Sequence, residues 1–335
     1  MSQEVELNVA PGPAGVRDEV AAPLAAARLS GESALRLRKQ RTLWGDAWRQ
    51  FRHHHLAMAG TVVLVIFGLA TLIAPFIYPY QVNDPFAFAT DAGPSWTHLM
   101  GTDSLGQDVL ARVLWGGRVS LSVGLVAATI AIVLGTTIGA IAGFFGSFVD
   151  SVLMRFTDMF ISLPQLPLLL LITFLFKDSV ENVFNNEFGS KNLGDFVLIV
   201  GVIGALNWMP VARLVRAGFL SVKEKEYVEA ARSVGATRSS LIFKHILPNT
   251  LSPIIVAATL GVGAAIITES ALSFLGLGFP SDVPTWGRLL YDAQNYLQLA
   301  PHEAIFPGMM IFITVLSINY IGDGLRDALD PHKTV

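Results

Sequence analysis

Asp158 and Glu269 are where a chemical reading of this sequence begins, because each stands at or within a long apolar run. An ionisable side chain is costly there and is by default a functional candidate, here for a gate or a translocation path. Hydration or capping contacts at the ends of the runs would satisfy either carboxylate as well. His53, His54 and His55 suggest metal binding, but beside Arg49 and Arg52 they read as an interfacial cluster. Asp103 and Asp108 lack the ligand spacing of a calcium loop and read as structural. Paired catalytic carboxylates, a zinc-binding HExxH and a Ser/His pair are all missing from the apolar runs. The 335 residues contain no cysteine, which excludes disulfides, thiolate metal sites and cysteine nucleophiles together. A Gly-Lys pair is also absent, so the chain lacks the phosphate loop with which many proteins hold a nucleotide. Neither enzymatic activity nor a bound cofactor or metal is expected of this chain.

The elements that must position these residues are membrane spans. Hydrophobic residues make up 52% of the chain and charged ones 15%, against about 25% charged in an ordinary soluble domain. A helix needs about 20 mainly apolar residues to cross a hydrocarbon core of roughly 30 Å. Residues 56–78, 120–145, 159–176, 196–212, 249–268 and 304–322 qualify, which predicts an all-α membrane protein of six transmembrane helices. Basic loops are retained on the cytoplasmic side. With the N-terminus inside, the inner segments hold 18 of the 23 Lys and Arg residues, so both termini are predicted to be cytoplasmic. The predicted layout is a largely disordered tail over 1–55 with a possible juxtamembrane helix, a first span over 56–78 and an extracytoplasmic segment over 79–118. A five-helix core over 119–322, carrying a cytoplasmic loop over 213–248, and a tail over 323–335 complete it. The net charge of −3 gives no pointer to a nucleic-acid partner.

Within the loop, Ser221 and Glu224 have capping-box spacing, and Gly235 stands where a left-handed residue would close the helix they open. Thr237 can start a second helix, which the ring of Pro248 is expected to stop. Tyr227, Ala231 and Val234 form an apolar stripe at i, i+4 and i+7 that a lone hairpin could not bury, so a partner should cover it. Gly135, Gly139 and Gly143 recur every fourth residue and give one helix face a groove for close packing, or a surface for sliding. Pro164 and Pro167, Pro210 and Pro253 permit kinks in three of the spans.

Glu229-Ala230-Ala231, Gly235 and Leu247-Pro248 resemble the signature loop of bacterial ATP-binding-cassette importer permeases. One departure is His245, where an aliphatic residue is usual. The stretches 101–108 (GTDSLGQD), 269–278 (ESALSFLGLG), 284–287 (PTWG) and 322–331 (GDGLRDALDP) resemble the second permease subunit of the dipeptide and oligopeptide systems. The outer loop over 177–195 is longer and more polar than that family leads one to expect. The resemblance implies a type I importer permease fold in the cell inner membrane. It implies that Tyr227, Glu229, Ala230, Ala231, Gly235, Ala236, Leu247 and Pro248 belong to an ATPase-coupling loop. The implied partners are a homologous second permease, two ATPase subunits that hold the ATP and magnesium, and an extracytoplasmic solute-binding protein. The implied cargo is a di- or oligopeptide, with nickel, glutathione or an oligosaccharide as alternatives within the family. An ion-driven secondary transporter would instead want carboxylates or histidines near mid-membrane, and the runs show only Asp158 and Glu269, near their ends.

Overall fold

The computed structural model describes residues 43–84 and 88–330. The chain divides into a unit over Met1–Trp48 and one over Arg49–Val335. Of the first unit only the opening residues of helix α1 (Leu43–His53) are described, so the predicted disordered tail falls outside the described residues.

In the second unit every regular element is helical among the described residues. α2 (His55–Ile77), α3 (Val109–Phe145), α9 (Arg238–Phe274) and α11 (His302–Leu329) are each long and apolar enough to cross a membrane. Two further pairs pass the same test together: α4 (Ser147–Ile161) with α5 (Gln165–Phe188), bent by 85°, and α6 (Lys191–Leu206) with α7 (Trp208–Lys223), bent by 40°. Among the described residues there are therefore four helices of spanning length and composition, or up to six candidate spans if each bent pair counts as one. α8 (Glu226–Ser233) follows α7, and α10 (Trp286–Ala293) lies between α9 and α11.

α3 is the central element. At 1.5 Å per residue its 37 residues are about 55 Å long, well beyond a hydrocarbon core. It packs on α2, α6, α7 and α9. Its closest approach is to α7, where a Cβ added at Gly135, Gly139 or Gly143 would fall 2.6 Å from Val211 Cβ, 2.4 Å from the Ala212 carbonyl oxygen and 2.6 Å from Phe219 Cβ respectively. The buried core around this contact includes Val123, Ala127, Ile199, Ile203, Trp208 and Ala212. Outward-facing side chains are large and apolar, as at Val65, Ile66, Phe76, Leu125 and Phe174, which suits lipid and not water.

The breaks have local causes. Pro164 cannot donate a backbone hydrogen bond and biases Leu163 away from helix, so α4 ends at Ser162 and α5 restarts at Gln165. Pro210 leaves the Leu206 carbonyl without its usual donor, and the α6–α7 break falls at Asn207, three residues earlier. Pro248, expected to end a helix, does not. Residues Leu241–Ile246 widen into a π-helical turn in which the Leu247 N–H reaches the Ile242 carbonyl, and Asn249 Nδ2 donates to the His245 carbonyl at 2.7 Å. The chain then runs on unbroken to Phe274.

Several predicted boundaries move. α3 begins at Val109, inside the stretch read as extracytoplasmic, and α11 continues to Leu329, inside the predicted tail. The predicted 213–248 loop is helix at both ends, which leaves α8 and its short flanks between α7 and α9. Residues 177–195 are not a loop either. α5 continues to Phe188, Gly189 takes a left-handed conformation and α6 starts at Lys191, giving a helical hairpin. Lys177 secures it, with Nζ 3.3 Å from the Gly278 carbonyl oxygen and 3.8 Å from Asp195 Oδ1.

Candidate functional site

The segment around α8 is held from inside by Val228, with Ala231 and Ala236 packed against the same cluster. Val228 is fully buried and packs with Phe144, Val215, Phe219, Leu241 and Ile246, so α8 is fixed to the ends of α3, α7 and α9. Lys223 Nζ donates to the Phe144 carbonyl at 2.6 Å, tying the end of α7 to the end of α3. Arg216 of α7 makes a bidentate ion pair with Asp150 of α4, its Nη2 lying 2.6 Å from Oδ2. Ser221 and Glu224 do not form the expected capping box, because α7 continues through Ser221 and Glu224 is its C-cap. α8 starts two residues after that cap, at Glu226, with Lys225 as N-cap. Glu226 and Glu229 then occupy its first turn, where negative charge complements the helix dipole.

Gly235 has φ +87° and lies past the helix end, with the Gly235 N–H on the Arg232 carbonyl and the Ala236 N–H on the Ala231 carbonyl. That is the paired pattern of a Schellman C-cap. Thr237 caps the following helix, its hydroxyl accepting the Ser240 N–H at 3.3 Å. The apolar stripe differs from expectation by one residue. Ala231 turns inward with Ala236, while Tyr227, Ala230 and Val234 face out, Val234 at 86% exposure. Glu229 and Pro248 are also exposed and Leu247 is half-buried. The arrangement offers a small apolar ridge on a rigid mount, suited to entering a groove on another protein.

Asp158 and Glu269 are not brought together. Asp158 is on α4 and pairs at 2.5 Å with Arg213 of α7, both side chains about half exposed. Glu269 is wholly buried in α9, where it accepts from the Ser273 hydroxyl at 2.8 Å and the Ser120 hydroxyl at 3.4 Å. Ser120 also accepts the Trp286 N–H at 3.2 Å, so this cluster joins α3, α9 and α10. Asp103 and Asp108 hold the segment before α3. Asp103 Oδ1 accepts the N–H groups of Leu105 and Gln107 while its Oδ2 takes Arg112 at 2.7 Å, and Asp108 N-caps α3. His54 of the histidine run caps α2 through the Ala57 N–H.

Sequence reasoning missed Gln165 and Asn207. Gln165 opens α5 and Asn207 is the α6–α7 break, and they meet at 3.1 Å from Nε2 to Oδ1. Amides beside Pro164 and near Pro210, inside otherwise apolar runs, were the available signal.

Residues 135–335 match the family model described as the binding-protein-dependent transport system inner membrane component. Residues 42–94 match the N-terminal transmembrane domain of oligopeptide transport permease C. The chain is 38% identical over 86% of its length to the dipeptide transport system permease protein DppC of Alkalihalophilus pseudofirmus, covering 90% of that protein. It is 39% identical over 87% of its length to the oligopeptide transport system permease protein OppC of Haemophilus influenzae, covering 89% of it. It is 37% identical over 91% of its length to the glutathione transport system permease protein GsiD of Pectobacterium atrosepticum, covering 96% of it. A chain of the inward-facing MetNI methionine ABC transporter superposes on 66% of this chain and 97% of its own length, at a TM-score of 0.49 and 17% identity. A chain of apolar spanning helices that matches these permeases over nearly its whole length belongs to the peptide branch of the ATP-binding-cassette transporter permeases, and is a transport subunit and not an enzyme.

Proposed function

We propose that this chain forms half of the translocation path of a peptide importer and receives the ATPase stroke through α8. The observation that carries the reading is the pairing of an exposed apolar ridge, Tyr227, Ala230 and Val234, with a fully buried Val228 on the opposite side of the same short helix. An exposed apolar ridge calls for a partner, and a buried anchor lets force on the ridge move α3, α7 and α9 as a body. In this reading the basic end of the bundle and both termini face the cytoplasm, and the chain is a multi-pass protein of the cell inner membrane. Two ATPase subunits, holding ATP and magnesium, dock at α8, a homologous permease supplies the other half of the path, and a solute-binding protein delivers cargo on the far side. The relatives carry the words dipeptide, oligopeptide and glutathione in their names, and all three are peptides in chemical terms.

The test is co-purification from mild detergent of the tagged native chain and of Val234→Asp, which places a charge on the ridge without touching Val228. The native chain is expected to bring a second permease and ATPase subunits, and the variant to keep the permease and lose the ATPases. Retention of the ATPases at the native level by the variant would remove α8 from the coupling role. A native chain that purifies alone and transports under an ion gradient without ATP would overturn the importer reading as a whole.

A further inference from the structure

α2 is held to the bundle at two levels and stands off between them. Gly60, Leu64, Gly68 and Thr71 share one face of this helix, because they follow each other at steps of three or four residues. At one end a Cβ added at Gly60 would fall 2.7 Å from the Ser317 carbonyl oxygen of α11, and at the other a Cβ on Gly117 of α3 would collide with the Thr71 methyl group. At Gly68, between these two contacts, an added Cβ would meet nothing within 4 Å. α2 packs on α3 and α11 and makes little contact with α9. The result is a groove of about 530 Å³ with α9 as its floor, a volume in the range that encloses small ligands.

The walls include Leu64 of α2, Ala128 and Ile132 of α3, Ala258 and Val262 of α9 and Ile318 of α11. All six lie in the middle third of helices long and apolar enough to cross a membrane, which puts the groove at the depth of the hydrocarbon core. Its two threonines, Thr129 and Thr259, return their hydroxyls to the Leu125 and Ile255 carbonyls of their own helices at 2.8 and 3.0 Å. No side chain on the walls therefore offers a free polar group, and water gains no partners there. Left empty, the groove forfeits the dispersion contacts of its lining. A further helix, about 10–12 Å across with its side chains, is too wide to enter. An extended peptide segment would strand its backbone N–H and C=O groups. An acyl chain is thin and carries no polar group. The mouth also faces lipid, because Leu125 and Val133 on its rim are 61% and 58% exposed and continue the outward surface of Val65 and Ile66 on α2.

We propose that this groove binds one acyl chain of a membrane phospholipid, which fills the space between α2 and α9. The site is independent of the cargo. The test is photolabelling of the chain, together with the subunits that co-purify with it, in vesicles of phosphatidylethanolamine and phosphatidylglycerol. The vesicles are doped with a phosphatidylcholine that carries a diazirine midway along one acyl chain, and adducts are mapped by mass spectrometry. Bulk lipid reaches Val65 and Ile66 on the outer side of α2, whereas a chain in the groove should also label Ala258, Thr259 or Val262 on its floor. Ala258→Phe fills the groove and should abolish labelling of the floor while leaving that of Val65 and Ile66. Gly68→Leu, which enters open space on the same face of α2, serves if Ala258→Phe does not assemble. Labelling of Val65 and Ile66 without any adduct on the floor would overturn the proposal, and is the outcome expected if a protein partner covers the groove instead. Floor labelling that neither substitution lowers would overturn it as well.

Discussion

Replacing Gly139 by alanine tests the contact on which the bundle turns. The added Cβ would lie 2.4 Å from the Ala212 carbonyl oxygen and 2.9 Å from Val215 Cβ, and the first of these is backbone that cannot rotate away. Restoring an ordinary contact of 3.4 Å requires α3 and α7 to part by about 1 Å at this level. The parting is resisted on either side, since Gly135 and Gly143 hold α7 equally close at Val211 and Phe219. Overpacking of this kind costs about 1–3 kcal/mol, while alanine regains up to about 1 kcal/mol of helix propensity over glycine. Gly201 in α6 is the matched control, because its added Cβ would meet nothing within 4 Å and only the propensity gain remains. The two variants should therefore differ in stability by about 1–3 kcal/mol, with thermal midpoints in detergent separated by a few degrees. Because α7 leads directly into α8, Gly139→Ala should also weaken stimulation of the partner ATPase by transported peptide. Coincident melting of Gly139→Ala and Gly201→Ala would refute the claim that close backbone approach fixes α7.

Two further outcomes follow from the same structure. Gly235→Ala should cost about 1–2 kcal/mol, since an L-residue is strained at φ +87° while the space around it is open. Gly235→Asn should recover much of that cost, because asparagine tolerates the left-handed region, and an alanine variant with a native thermal midpoint would show that the turn can be remade. Asp103→Ala should cost about 3–5 kcal/mol by leaving Arg112, only 3% exposed, without its close carboxylate, with Asp292 at 3.4 Å as partial compensation. The measurement is the thermal midpoint, and an unchanged midpoint would mean that Arg112 is adequately held by Asp292.

How far the site was legible depends on whether each feature is local. Gly235 and Thr237 could be placed because a left-handed C-cap and a hydroxyl N-cap are properties of a few consecutive residues. Ser221 and Glu224 misled because capping-box spacing also occurs by chance, and the packing of α7 on α3 keeps that helix intact past Ser221. Pro248 misled because its rule assumes an unbroken α-helical ladder, and a π-helical turn together with the Asn249 side chain changes which groups need partners. Ser273 is a helix turn from Glu269, but the cross-helix partners were not readable, since Arg213 lies 55 residues from Asp158 and Ser120 lies 149 residues from Glu269.

The sequence by itself determined that this chain belongs in a membrane and roughly where it crosses, because a lipid-exposed backbone must satisfy its own hydrogen bonds and long apolar runs leave helix as the solution. It also determined where the turn beside α8 closes, because only backbone sterics are involved. The tertiary structure decided which polar groups meet. It set the pairing of Gln165 with Asn207 and of Asp158 with Arg213, and the burial of Val228 against the exposure of Val234. Those outcomes depend on how α3, α4, α5 and α7 lie against one another, and residues that meet across helices leave no spacing along the chain by which to find each other.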